Sequence, residues 1–113
     1  MTKVTIYHNP RCSKSRQTLQ LLRDRGIEPE VVEYLKTPPD ESTLRGLLKK
    51  LGLTPRELIR ANDLRALGLA ATEDPDELIR LMAEHSRLIE RPIVVVGDQA
   101  RLGRPPETVL EIL

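Results

Sequence analysis

The chain contains a single cysteine, Cys12, and its position favours the reactive thiolate form. Cys12 follows a short apolar run, Val4–His8, that predicts a β-strand, and it precedes residues 13–25, whose leucine spacing predicts a helix. Unpaired backbone N–H groups and the helix dipole stabilise a thiolate at a helix start. The same two features attract an oxyanion. We therefore predict a reactive cysteine beside an oxyanion-binding site.

The polar and basic neighbours of Cys12 support this interpretation, because the alternative, a small buried hydrophobic cysteine, would have apolar neighbours. His8 lies four residues before Cys12 and would stabilise the thiolate if its imidazole were protonated. The alternative for His8 is a strand-end histidine bonded to a backbone carbonyl. The other neighbours expected to support the cysteine are Asn9, Arg11, Ser15 and Arg16.

Residues 12–15 form a CxxS motif, in which Ser15 occupies the position of a resolving cysteine. Because the chain has no second thiol, Cys12 forms no internal disulfide. An oxidised or esterified Cys12 must therefore be released by an external thiol, such as glutathione or a glutaredoxin.

Three arginines lie at predicted junctions between elements and are candidate oxyanion ligands. We place Arg60 near the end of a short helix, Arg91 directly before Pro92 and an inner strand, and Arg104 at the start of the last helix. A guanidinium binds a tetrahedral oxyanion through paired N–H donors. The alternative for each arginine is an ordinary surface charge. The expected topology also favours a cis bond between Arg91 and Pro92.

Composition restricts the class of protein. With 113 residues, 39% of them hydrophobic, the chain suits a single domain, residues 1–113. A formal net charge of +1 and a near absence of aromatic residues argue against nucleic-acid binding. We find neither a signal segment nor an apolar run long enough to cross a membrane, and we expect a cytoplasmic protein. His8 and His85 lack the spacing of metal ligands, so we predict no metal site. The sequence also has no GxGxxG or phosphate-loop motif, and we predict no bound cofactor.

The predicted elements follow the order strand, helix, strand, a block of helices, two strands and a helix. Residues 4–8 and 30–35 form the first two strands, which a single crossover helix makes parallel. The helical block covers about residues 38–88, and residues 93–96 and 100–103 form the last two strands. This order predicts an α/β protein of the α+β type with a thioredoxin-like fold. Its four-stranded mixed sheet would carry flanking helices, with a helical insertion between the βαβ and ββα halves.

Proline, glycine and capping signals divide the later part of the chain into helices. The predicted helices cover residues 38–51, 54–60 and 63–67, with two more beginning at residues 74 and 104. Gly52 is expected to end the first of them, and Thr54 and Glu57 are expected to form a capping box at the start of the second. Pro38 and Pro39 are expected within a first turn, where a missing N–H is harmless. In the last helix, Val109, Ile112 and Leu113 are expected to face inward.

The sequence resembles the glutaredoxin-dependent arsenate reductases, a family with a thioredoxin-like fold. The resemblance covers essentially the whole chain and is strongest over residues 8–16, 90–95 and 103–107, with the sequences HNPRCSKSR, ERPIVV and GRPPE. It implies that the Cys12 thiolate attacks arsenate and forms a covalent adduct with loss of water. Glutathione would then attack that adduct, glutaredoxin would supply the second reducing equivalent, and arsenite would leave. The roles it implies for other residues are a lowering of the Cys12 pKa by His8 and oxyanion binding by Arg60, Arg91 and Arg104.

Two other functions remain open for the same fold. One is a glutathione-dependent thiol reductase or deglutathionylase that turns over arsenate incidentally. The other is a non-enzymatic redox regulator that binds RNA polymerase, which Ser15 disfavours because that branch of the family switches through a CxxC pair. Residues 61–69 are shorter than the usual family segment, so Arg56 or Arg65 is an alternative to Arg60 as an oxyanion ligand.

Overall fold

A computed structural model describes residues 3–69 and 72–113 of the chain. Their contacts divide the chain into two compact units. The first unit joins residues 1–37 to residues 91–113, and the second covers residues 38–90. The second unit nearly coincides with the predicted helical insertion at about residues 38–88. A single domain for the whole chain stays a prediction.

The first unit is built on a four-stranded mixed sheet, as predicted. Its strands are β1 (Val4–His8), β2 (Glu30–Glu33), β3 (Ile93–Val96) and β4 (Gln99–Leu102), in the order β2-β1-β3-β4. Strand β1 is parallel to β2 and antiparallel to β3, and β3 is antiparallel to β4. The parallel pair requires a crossover, which helix α1 (Ser13–Asp24) supplies. This arrangement confirms the predicted fold class.

Three strand boundaries differ from the prediction, one in β2 and two in β4. Strand β2 stops two residues before the predicted Leu35, because the carbonyl of Glu33 accepts the N–H groups of Lys36 and Thr37 and turns the chain. Strand β4 begins one residue early and stops before Gly103, whose N–H donates to the carbonyl of Pro92.

The core of the first unit lies between one sheet face, helix α1 and a 3-10 helix at Pro106–Ile112. The buried residues of this core are Ile6, Leu22, Val94, Val109 and Ile112. The prediction that Leu113 also faces inward is wrong, since its side chain is exposed. The reason is the helix type: a 3-10 helix repeats every three residues, so residues 106, 109 and 112 share the buried side.

The regular elements among the described residues of the second unit are all helical. They are α2 (Glu41–Leu51), α3 (Pro55–Leu58), α4 (Ala61–Ala66), α5 (Pro75–Glu84) and a 3-10 turn at Ser86–Leu88. Helix α2 begins after Asp40, whose carboxylate accepts the N–H of Thr43. Pro38 and Pro39 therefore precede the cap instead of occupying the first turn, which corrects that prediction. None of the helices formed by residues 3–69 and 72–113 is long and apolar enough to cross a membrane.

The predicted helix over residues 54–60 is shorter than expected. A capping box at Thr54 and Glu57 starts α3 as predicted, but the helix ends at Leu58. Ile59 instead forms an isolated β-bridge with Ile89. The backbone N–H of Arg60 then donates to the carbonyl of Leu88 at 2.6 Å. Arg60 consequently stands at the start of α4 and not at the end of a helix.

Candidate active site

Cys12 lies between β1 and α1, in the position immediately before the helix. A tight turn holds it there, since its backbone N–H donates to the carbonyl of Asn9 at 3.0 Å. The thiol is free and half-buried. It is therefore both fixed in place by the backbone and reachable by a small reactant.

The pKa of Cys12 lies below its ordinary value because several donors outweigh the cost of burial. Burial is the largest single influence and raises the pKa. The groups that lower the pKa are, in decreasing order, the Ser15 backbone N–H, the Arg91 guanidinium and the Lys14 backbone N–H. The sulfur forms no conventional N-cap hydrogen bond, so these N–H groups act as an electrostatic cluster at the helix start. These donors favour the thiolate form of Cys12, and its role as the reactive thiol stays a prediction.

A buried hydrogen-bond network underlies the turn that carries Cys12. The hydroxyl of Ser15 accepts the backbone N–H of Asn9 at 3.0 Å and lies 2.6 Å from Nδ1 of His8. The side-chain oxygen of Asn9 accepts the N–H of Arg11 at 3.0 Å. His8, Asn9 and Ser15 are all buried. Ser15 thus connects the end of β1 to the first turn of α1 and fixes the loop between them.

His8 contributes to this network as a neutral ring. Burial lowers its pKa, and the charges of Arg23 and Arg16 add to that effect against the opposing influence of Glu33. In the neutral tautomer with an unprotonated Nδ1, the ring accepts a hydrogen bond from the Ser15 hydroxyl, and the lowered pKa agrees with a neutral ring. The structure therefore brings His8 to Ser15, and His8 is not among the groups that lower the Cys12 pKa. A direct effect of a protonated His8 on Cys12 stays a prediction.

Of the other predicted supporting residues, Arg16 has a clear structural partner. Its guanidinium donates to the carbonyl of Pro10 at 3.0 Å, which secures the loop before Cys12. Arg11 is exposed, and its side chain lies outside the buried network. Both residues add positive charge near the start of α1, where no acidic side chain occurs between Asn9 and Arg23.

Arg91 and Arg104 are brought together by the loop before β3. The guanidinium of Arg104 donates to the carbonyl of Arg91 at 3.0 Å. The Arg91 side chain also hydrogen-bonds to Cys12 and, together with its charge, helps to lower the pKa of that thiol. The bonds from Arg91 to Pro92 and from Arg104 to Pro105 are both cis, the first as the topology led us to expect.

One polar atom at this site lacks a partner. The Nε–H of Arg91 is buried and has no hydrogen-bond acceptor among residues 3–69 and 72–113. A buried donor without an acceptor costs roughly 1–3 kcal/mol. An anion seated beside Cys12 would supply that acceptor, and a tetrahedral oxyanion matches the donor geometry of a guanidinium.

The third predicted oxyanion ligand, Arg60, belongs to the second unit. Its Nε donates to Asp63 at 2.5 Å, and its Nη1 donates to Glu90 at 3.2 Å. Arg87 also contacts Asp63, whose pKa is lowered mainly by its hydrogen bond from Arg60. Arg60 is therefore part of a half-buried ion-pair cluster, and its role in oxyanion binding stays a prediction.

Two residues that the sequence analysis did not predict as site residues also shape the site. Thr18 is fully buried, and its hydroxyl donates to the carbonyl of Lys14 at 2.8 Å within the first turns of α1. Gly103 lies against Thr18 and Pro92 with no room for a side chain. The available sequence signals for such close packing are a threonine on the flank of the predicted leucine stripe and a glycine directly after a strand.

Metal ligands are not assembled at this site. Within the part of the chain that the structure describes, no three His, Cys, Asp or Glu side chains are grouped closely enough to hold a metal ion. The described residues at this site place a thiol with a lowered pKa beside guanidinium and backbone N–H donors.

Comparison with known proteins gives a consistent result. Residues 7–112 match the family model for the ArsC family. The uncharacterized protein YfgD of Escherichia coli K12 is 57% identical, with 100% of this chain and 99% of that protein covered. An arsenate reductase of Haemophilus influenzae is 49% identical over 97% of this chain and 98% of its own length. The solved structure of an arsenate reductase from Vibrio cholerae matches with a TM-score of 0.89 at 50% identity, covering 99% of this chain and 98% of that one.

Proposed function

The chain belongs to the ArsC family, and on that premise we propose that it reduces arsenate to arsenite with the Cys12 thiolate as nucleophile. The observation that carries this proposal is the double role of Arg91. Its guanidinium lowers the pKa of Cys12, and its buried Nε–H still lacks an acceptor among the described residues. One side chain thus activates the thiol and offers a donor to the anion that the thiol would attack.

The first step is nucleophilic attack on arsenic. Arsenate surrounds its arsenic with anionic oxygens, so a thiolate can approach only if neighbouring cations offset the repulsion. Arg91 and Arg104 supply two such cations in the first unit, and Arg60 is the proposed third. The Cys12 sulfur forms a bond to arsenic while one As–O bond breaks, and that oxygen leaves as water after protonation. Arsenic remains pentavalent in this adduct.

The two electrons that reduce arsenic come from external thiols, because Ser15 leaves Cys12 without a partner in its own motif. A glutathione thiolate attacks the arsenic of the adduct, and a second oxygen leaves as water. A glutaredoxin thiolate then attacks the glutathione sulfur, which forms a mixed disulfide and breaks the As–S bond to glutathione. The electron pair of that bond stays on arsenic and reduces it to the trivalent state. Water displaces Cys12, so arsenite leaves and the thiol is regenerated.

This cycle fits a compartment that keeps thiols reduced. Glutathione and glutaredoxin maintain that state in the cytoplasm, where we propose that the protein works. Glutathione acts as a co-substrate and not as a bound cofactor. Glutaredoxin is the proposed protein partner.

A reconstituted assay tests the proposal. Purified protein is incubated with arsenate, glutathione and a glutaredoxin, and arsenite is quantified by chromatography. We expect arsenite only when both thiol components are present, and none from Cys12→Ser. Arg25→Met is the matched control, since Arg25 is exposed at the far end of α1. It should retain full activity.

Two outcomes would contradict the proposal. Substantial arsenite formation by Cys12→Ser would exclude Cys12 as the nucleophile. Wild-type protein that reduces a glutathione mixed disulfide but leaves arsenate unchanged would favour the alternative thiol reductase. The same preparation should therefore be assayed with both substrates.

A further inference from the structure

Gly103 lies at the closest approach between β4, the loop before β3 and helix α1. Its backbone N–H donates to the carbonyl of Pro92 at 2.9 Å. A Cβ atom at this position would lie 2.8 Å from Cγ of Pro92 and 3.1 Å from Cγ2 of Thr18, with the Thr18 hydroxyl nearer still. Real side chains do not tolerate such distances, so any substitution must move one of these elements.

The neighbours of Gly103 cannot yield easily. Thr18 and Pro92 are both fully buried, so neither side chain can swing into solvent. The Thr18 hydroxyl is also committed to the carbonyl of Lys14 at 2.8 Å. The backbone of Gly103 does not lie in the left-handed region, so the requirement for glycine is one of space.

Gly103 contacts two segments, the Arg91–Pro92 segment and helix α1, and each contributes a group that stabilises the Cys12 thiolate. Pro92 directly follows Arg91, whose guanidinium acts on the sulfur. Thr18 holds the first turns of α1, whose N–H groups at Lys14 and Ser15 act on the same sulfur. Residue 103 therefore lies between the segment that carries Arg91 and the helix that carries the Lys14 and Ser15 N–H groups.

We propose that Gly103 is a positioning residue, whose missing side chain lets the Arg91–Pro92 segment pack directly against Thr18 and so places the guanidinium and the helix N–H groups on one sulfur. Gly103 touches no reacting atom and acts only through Arg91 and α1. The inference rests on the proposed function only in taking Cys12 as the nucleophile.

The test measures the ionisation of Cys12 without any arsenic compound. Because Cys12 is the only cysteine, the rate of alkylation by iodoacetamide as a function of pH reports this thiol alone. We expect Gly103→Ala to raise the midpoint by about one pH unit, which is about tenfold less thiolate below both midpoints. Gly46→Ala is the control, since a Cβ there meets nothing within 4 Å. Its midpoint should equal that of the wild type.

A merely structural role would lower the melting temperature of Gly103→Ala without moving its alkylation midpoint. That result, in a variant whose circular dichroism shows it folded, would overturn the proposal.

A second variant isolates the steric cause. Thr18→Ala removes two of the three atoms that crowd residue 103. Adding Gly103→Ala to it should therefore shift the midpoint much less than in the wild type, because neighbouring substitutions are not additive. A full shift in the Thr18→Ala background would overturn the steric argument. If Gly103→Ala alone does not fold, the double variant must fold, and its failure to do so would equally overturn it.

The outcome is separable from that of the proposed function. Wild-type protein without arsenate reduction, together with a shifted midpoint in Gly103→Ala, would refute the substrate and leave the positioning role intact. Arsenate reduction by the wild type, together with an unchanged alkylation midpoint in Gly103→Ala, would support the proposed function and refute the positioning role.

Discussion

Replacing Ser15 with alanine should destabilise the protein far more than the loss of one hydroxyl normally does. The Ser15 side chain has 0% relative exposure, and its oxygen serves two partners that are themselves buried, the Asn9 N–H and Nδ1 of His8. Alanine keeps the β-carbon and removes only that oxygen. The perturbation therefore leaves two buried polar groups without partners and creates almost no cavity.

The magnitude follows from the two orphaned groups. A buried polar group left unsatisfied costs roughly 1–3 kcal/mol. His8 and Asn9 are 6% and 7% exposed, so water cannot readily replace the lost hydroxyl. We expect Ser15→Ala to lower the free energy of unfolding by about 2–6 kcal/mol, a large share of the 5–15 kcal/mol typical of a small protein.

Equilibrium denaturation in guanidinium chloride at neutral pH measures this change. Ser13→Ala is the matched control, because Ser13 undergoes the same substitution on an exposed position in the first turn of α1. It should change stability by no more than about 0.5 kcal/mol. A Ser15→Ala variant as stable as Ser13→Ala would refute the network as a stabilising element of the site.

Two further predictions concern charge. Arg91→Met should raise the alkylation midpoint of Cys12 by about one pH unit and lower kcat/KM for arsenate about 10- to 100-fold, because it removes a charge-assisted hydrogen bond. The control Arg25→Met should change neither quantity. Equal effects of the two substitutions would refute a specific role for Arg91. Burial lowers the pKa of His8 in the folded protein below its ordinary value of 6.5, so the unfolded chain binds more protons between these two pKa values. The contribution of His8 to stability is therefore complete above pH 6.5 and is lost as the pH falls through the folded pKa. Denaturation at a series of pH values should accordingly show a shallower loss of stability on acidification in His8→Gln than in the wild type, and parallel curves would contradict this.

Local signals in the sequence were sufficient to predict where several helices begin and end. Thr54 and Glu57 predict a capping box, and the structure forms it. Gly52 was expected to end a helix and adopts the left-handed backbone that this role requires. Such signals act over three or four residues, which is why they can be recognised without knowing the fold.

The same local logic fails where a distant segment intervenes. Ile59 and Arg60 carry no local signal against continuing α3, yet backbone pairing with residues 88–90 ends the helix. Leu113 has the apolar character of its neighbours, but the tighter period of the 3-10 helix leaves it exposed. Neither the distant pairing nor the choice of helix type is encoded in short-range spacing.

The same distinction between local and long-range interactions applies to the chemistry of the site. The sequence by itself determined that a lone cysteine stands before a helix, with no second thiol in its motif, because strand, turn and helix signals are local. Only the tertiary structure decided which groups meet its sulfur. Arg91 is 79 positions away from Cys12 in the sequence, yet it contacts the cysteine in the fold. Gly103 has no side chain, so the loop that carries Arg91 packs closely against α1. Burial turns His8 into a neutral partner of Ser15, since desolvation depends on everything packed around the ring.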